Sequence, residues 1–139
     1  MAFDITKKRA SETAKIDLVN GDGTPLMDDE GKQLSVTVHG PGSKVWQQAD
    51  AERNRRRTVR VEKNRGKISA AVDYTGGDDV DFLVSVTVSF NGWEYPGEFS
   101  SQREMFKAAY ADDTIGYIRD HVAKEAGSWE AFTNGSATA

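Results

Sequence analysis

Near the start of the chain, apolar and polar side chains alternate in two short stretches. In residues 14–20, AKIDLVN, the apolar positions are Ile16 and Leu18, with Val19 a less regular third. In residues 33–38, QLSVTV, they are Leu34, Val36 and Val38, separated by Ser35 and Thr37. A period of two with β-branched residues predicts strands with one buried face. The intervening GDGTPLMDDEGK contains the breakers Gly21-Asp22-Gly23 and Asp29-Glu30-Gly31. Two antiparallel strands joined by a turn-rich connection are therefore expected over 14–40, with a short strand around Leu26 and Met27. A lone hairpin is marginal in water, so its apolar face must pack on something else.

After His39-Gly40-Pro41-Gly42, Ser43 offers a hydroxyl to cap a helix, and residues 43–65 contain neither Gly nor Pro. A long helix is expected there, apolar at Val45, Trp46 and Ala49, strongly basic afterwards, and ended by Gly66. Residues 78–90 carry two periods at once. Val80, Phe82, Val84, Val86, Val88 and Phe90 alternate as a strand would, ahead of the hairpin signal Asn91-Gly92. Val80, Leu83, Val84, Thr87 and Val88 also follow a helical spacing, with Asp78 or Asp79 at its start. Further on, Ser100 or Ser101 caps a helix with Glu104 completing a capping box, and Met105, Phe106, Ala109 and Tyr110 form its apolar stripe. Asp112 and Asp113 break it. Ile115, Ile118 and Val122 begin another helical face, which ends at Gly127, and Trp129 and Phe132 are expected to fold back on the core.

The predicted fold class is α+β, an N-terminal antiparallel β-hairpin or small sheet followed by a mainly α-helical C-terminal part. One domain is expected over 1–132, comprising the β unit at 14–40, a basic helix at 43–65 and a helical part at 78–132. Residues 133–139, TNGSATA, read as a flexible tail. The chain reads without an internal repeat. With 139 residues, 37% hydrophobic and 29% charged, it can build one core. No run approaches the roughly 18 apolar residues of a membrane helix, and the N-terminus lacks the apolar stretch of a secretory signal. There are no cysteines, which excludes disulfides, thiol catalysis and cysteine-bound zinc.

The net charge of −4 conceals a split. Residues 1–67 carry 14 Lys and Arg against 10 Asp and Glu, and residues 68–139 carry 4 against 12. Opposite signs at the two ends permit copies to associate head to tail, or are simply two solvated surfaces. The basic run Arg53, Arg55, Arg56, Arg57, Arg60, Lys63, Arg65 and Lys67 would suit phosphates, but on a helix it wraps most of the circumference and no nucleic-acid-binding motif accompanies it. A protein partner or another subunit is the preferred contact for Arg53, Arg56, Arg57 and Arg60. The clusters Asp28-Asp29-Glu30 and Asp78-Asp79-Asp81 lack the Gly and Glu of a calcium loop and read as solvated turns or helix-start charges. His39 and His121 have no metal-ligand spacing, no glycine-rich phosphate loop is present, and no serine is paired with a base. No enzyme activity, cofactor or metal is expected. Among the many aromatics, Trp93, Tyr95 and Phe99 lie by Gly and Pro in an expected loop and are the candidates for partner contact.

The order FLVSVTVSFNGWEYPGEFSSQREMFKAAYADDTIGYIRDHVAKEAGSWEAF, together with the front helix SKVWQQADAERNRRR, resembles the tail assembly chaperones of long-tailed bacteriophages. The resemblance covers most of the chain. It implies a non-catalytic protein that binds the tape-measure protein, keeps it soluble and helps tail-tube subunits polymerise around it. It further implies homo-oligomers in the host bacterial cytoplasm, absence from the mature virion, and a longer frameshifted form in some members. It also tips residues 80–90 toward helix, since Asp78 and Asp79 suit a first turn and burial overrides β preference. The competing readings are a structural tail or connector subunit and a small nucleic-acid-binding regulator.

Overall fold

The strand pairing is antiparallel throughout, and the middle strand comes from the front of the chain. The structure, a computed structural model, describes residues 2–63 and 75–133. Strands β1 (Thr13–Asp17), β2 (Ser35–His39) and β3 (Thr87–Asn91) form one sheet in the order β1-β2-β3. Helices α1 (Lys44–Lys63) and α2 (Thr75–Val86) lie between β2 and β3 in sequence. Helices α3 (Gln102–Ala111), α4 (Gly116–Ala126) and the short α5 (Glu130–Thr133) follow β3, with single 3-10 turns at Ile5–Lys8 and Asp113–Ile115. The fold is α+β, as the hydropathy pattern predicts. The helix end expected at Gly66 and the tail beyond Thr133 lie outside the described residues.

Alternation sorts the sheet into two faces. Ala14, Ile16, Val36 and Val38 are buried against the helices, while Lys15 and Asp17 face solvent. Ser35 and Thr37 on the outer face receive the Asn91 side-chain amide at 3.2 and 2.9 Å. The core is completed by Val80, Leu83, Val84 and Val86 of α2, Phe106 and Tyr110 of α3, Ile118, Val122 and Ala126 of α4, and Phe132 of α5. Full burial of a Leu, Val or Phe stabilises by about 1.5–3 kcal/mol relative to exposure, so these positions dominate the energetics. Gly40 is required by this packing, because a Cβ there would overlap the Phe132 ring.

Residues 80–90 correct the expectation of one continuous helix. The helix runs only to Val86, and Thr87–Asn91 joins the sheet, so the region after 78 is not wholly helical. Thr87 marks the switch. Its hydroxyl donates to the Leu83 carbonyl at 2.6 Å and lies 2.8 Å from the Tyr110 hydroxyl, closing the last helical turn with side-chain bonds. The register with β2 then skips Val88, which bulges outward and is exposed, and Phe90 returns to the core side. Asn91-Gly92 turns the chain with Gly92 at φ 85°, but no strand follows it among the described residues.

The connection from β1 to β2 corrects the expectation of a repeat-free chain. Leu18, Leu26 and Leu34 stand eight residues apart and close a triangle of backbone hydrogen bonds. Leu18 N–H donates to Leu34, Leu34 to Leu26 and Leu26 to Leu18, at 2.9, 3.0 and 3.0 Å. Each of the two intervening segments is a tight hairpin, Asn20 N–H to Thr24 O at 2.7 Å and Asp28 N–H to Lys32 O at 2.8 Å. Gly23 and Gly31 take φ 90° and 79° in equivalent places, where a residue with a Cβ would be strained. The Gln33 side-chain amide donates toward all three leucine carbonyls at 2.8–3.0 Å. Asp22 accepts from the Thr24 hydroxyl and N–H, which holds its carboxyl below the usual range, and Asp28 is lowered mainly by the Lys32 N–H.

Candidate functional site

Helix α1 begins where the sequence predicts. The Ser43 hydroxyl accepts from Trp46 N–H at 3.2 Å, and the Trp46 indole donates to the Ala126 carbonyl at 2.9 Å, anchoring the start of α1 on α4. Two turns later the basic stripe meets α2. Arg53, Arg56, Arg57 and Arg60 recur at three- and four-residue steps, so they share one helix face. Asp78, Asp79 and Asp81 stand opposite them on α2.

The pairs form a ladder. Arg60 grips both oxygens of Asp78, Nη1 to Oδ2 at 2.7 Å and Nη2 to Oδ1. Arg57 reaches Asp79 at 3.4 Å, and Arg53 joins Asp79 at 3.2 Å and Asp50 at 2.7 Å. Arg56 bonds Asp81 at 2.9 Å and Glu52 at 3.3 Å, while Arg55 pairs with Glu52 on the outer side. The Arg53 guanidinium also lies 3.9 Å over the Phe82 ring, which packs perpendicular to Trp46 with ring centroids 5.5 Å apart. Asp78 is only 4% exposed, which corrects its reading as a solvated helix-start charge. A carboxylate so far out of water persists only with close cationic partners, and the two-pronged Arg60 contact supplies them. Within the ladder the Arg53 and Arg57 Nε atoms are buried without a hydrogen-bond acceptor among the described residues.

The structure thus brings the four candidate arginines together, but it turns them toward the chain's own aspartates. Part of the charge split between the two halves is spent inside the molecule. The candidate aromatics are divided. Trp93 stacks on Phe90 with centroids 3.9 Å apart and donates its indole N–H to the Ser35 carbonyl at 3.0 Å, so it covers the end of the sheet. Tyr95 donates to Asp112 at 2.8 Å and tilts against Phe99 at 6.4 Å. That hydrogen bond raises the phenol above its ordinary value, and Asp112 is lowered first by the Thr114 hydroxyl and then by Tyr95. Trp93, Tyr95 and Phe99 are all half-buried.

The large apolar side chains most open to solvent lie elsewhere. Ile5 is 72% exposed, Phe3 65% and Trp129 55%, with Val45 and Val59 on the outer side of α1. Phe132 folds onto the core as expected, whereas Trp129 does not. The sequence marks Trp129 only by its place after Gly127-Ser128, between two helices. Among the described residues, no cluster of His, Asp or Glu is arranged to hold a metal ion, and no helix is long and apolar enough to cross a membrane. Compared with known proteins, the chain matches no family model, no curated protein and no solved structure.

Proposed function

We propose that this chain is a non-catalytic assembly chaperone of the phage-tail type, binding the tape-measure protein and holding it soluble while tail-tube subunits polymerise around it. The observation that carries the reading is the exposure of Phe3, Ile5, Val45, Val59 and Trp129 on a small domain. A client with long apolar helical stripes needs adhesive surface and no bond-making chemistry, and these exposed side chains are among the apolar surface this domain has to offer one. The resemblance of residues 82–132 to tail assembly chaperones supplies the identity of the client. Homo-oligomers in the host bacterial cytoplasm, absent from the finished virion, belong to the same proposal.

The pairing of Arg53, Arg55, Arg56, Arg57 and Arg60 with carboxylates weighs against a nucleic-acid-binding regulator. Phosphates would have to displace carboxylates already held at hydrogen-bond distance. Co-expression with the tape-measure protein of the same genome tests the proposal. The expected result is a higher soluble fraction and recovery of both proteins together, reduced when Trp129 and Phe3 are replaced by Ser. Unchanged solubility with no co-purification overturns it. Mass spectrometry of purified virions is expected not to find the chain, and its presence in stoichiometric amount would assign it to the tail structure instead.

A further inference from the structure

Strand β1 is an edge strand, and its outer side opens onto a groove. Glu12 and Leu18 direct their backbone groups toward β2, accepting from Gly40 N–H at 2.7 Å and donating to Leu34 O at 2.9 Å. With alternation, Lys15 and Asp17 between them direct their N–H and C=O away from β2. The Asp17 carbonyl is taken by His121 Nε2 at 3.0 Å. Among the described residues, the Lys15 N–H and C=O and the Asp17 N–H meet no partner. Helices α4 and α5 stand beside this edge and enclose with it a groove of about 400 Å³. Its walls carry Lys15, Asp17, His121, Glu125 and Glu130, three carboxylates against one ammonium and one imidazole.

We propose that this groove binds an extended peptide segment bearing lysine or arginine, which adds as a fourth strand along β1. Backbone groups of the segment would pair with the open Lys15 and Asp17 groups, and its basic side chains would lie against Asp17, Glu125 and Glu130. Charge favours such a segment over a second copy of the chain. A second β1 edge arrives with its own α4 and α5 and sets one acidic wall against another. The inference stands independently of the chaperone reading, because it names a peptide chemistry and a strand edge, not a client.

The test uses two fluorescein-labelled octapeptides, one alternating lysine with valine and the other alternating glutamate with valine, titrated by anisotropy into the full chain. Saturable binding of the lysine peptide is expected, with the glutamate peptide weaker by about tenfold or more. Lys15→Pro removes an N–H that points away from β2, so it spares the internal ladder and is expected to weaken binding about tenfold. Glu125→Lys combined with Glu130→Lys is expected to reverse the preference between peptides, and this arm does not depend on proline being accommodated. Absence of lysine-peptide binding, equal affinity for both peptides, or an unaltered preference in the double variant overturns the proposal. A self-association abolished by Lys15→Pro without peptide binding would assign the edge to a second copy and overturn it equally.

Discussion

The seam between the sheet and helices α2, α3 and α4 is closed by apolar side chains, whereas the seam between α1 and α2 is closed by arginine and aspartate. The first draws on Ile16, Val36, Val38, Leu83, Tyr110 and Val122, all nearly inaccessible to water. The second draws on Arg53, Arg56, Arg57 and Arg60 against Asp78, Asp79 and Asp81. Apolar contact is non-directional, so it stabilises strongly without dictating one stagger. An ion-pair ladder contributes less after desolvation, yet each rung fits only one sliding position of α1 along α2. Affinity of helix for sheet and registration of helix on helix are thus carried by different chemistry. Helix α2 serves both, with Phe82 lying under the Arg53 guanidinium and against Trp46, and Leu83 fully buried in the apolar core.

Substitutions on either side separate the two roles. The largest effect is expected from Phe132→Ala in the apolar seam, a loss of about 4 kcal/mol in urea unfolding, because the ring fills the space above Gly40. Gly40→Ala alone is expected to destabilise through overlap with that ring, and combining it with Phe132→Ala should cost less than the sum. Next comes Asp78→Ala in the charged seam, expected to cost about 3 kcal/mol, since it leaves cationic groups facing a site closed to water. Replacing Asp78 and Arg60 together should cost less than Asp78→Ala alone. If it costs more, the ladder is a source of net stability and the contrast with the apolar seam collapses.

Smaller effects test the β1–β2 connection and the outer rungs. Gln33→Ala leaves three leucine carbonyls without the shared amide and is expected to cost about 1–2 kcal/mol, read by denaturant midpoint. Acid should loosen the same connection before the core. The Asp22 and Asp28 carboxyls lie below the ordinary value of 3.8 in the folded chain. Their contribution is therefore complete above about pH 4 and fades as pH falls through the lowered folded values. Amide signals of Thr24 and Lys32 should shift there while those of Val36 and Val38 hold. The smallest change is expected from Glu52→Gln, whose Arg55 and Arg56 partners are solvated, with a thermal midpoint indistinguishable from the parent.

The apolar seam is largely legible in the chain and the charged seam is not. Period-two alternation at Ile16, Leu18, Leu34, Val36 and Val38 locates β1 and β2 within a few residues. Ser43 and the Ser101–Glu104 pair mark real helix starts, the latter with Glu104 N–H on the Ser101 hydroxyl at 3.2 Å and Ser100 N–H on Glu104 at 3.1 Å. Both signals are local, so sequence spacing reveals them. The ladder joins residues 18 to 26 positions apart, and only folding shows that one charge run faces the other. Read singly, Arg53–Arg60 suggests a surface for phosphates or partners and Asp78–Asp81 a solvated cap. Residues 80–90 satisfy both periods because both are used, helix to Val86 and strand from Thr87. The eight-residue repeat is faint in the sequence because only Leu and Gly recur identically at matching places, while Gly21 and Asp29, Thr24 and Lys32, or Pro25 and Gln33, share little side-chain chemistry.

The passage from α2 into β3 occurs without a single intervening loop residue. Such a junction has no slack to absorb motion. A tug that shifts α2 along α1 by one rung must also drag Thr87 past Tyr110 and slide β3 against β2. Anything that grips the outer helix therefore has a lever on the far rim of the sheet, where Phe90 and Trp93 are stacked.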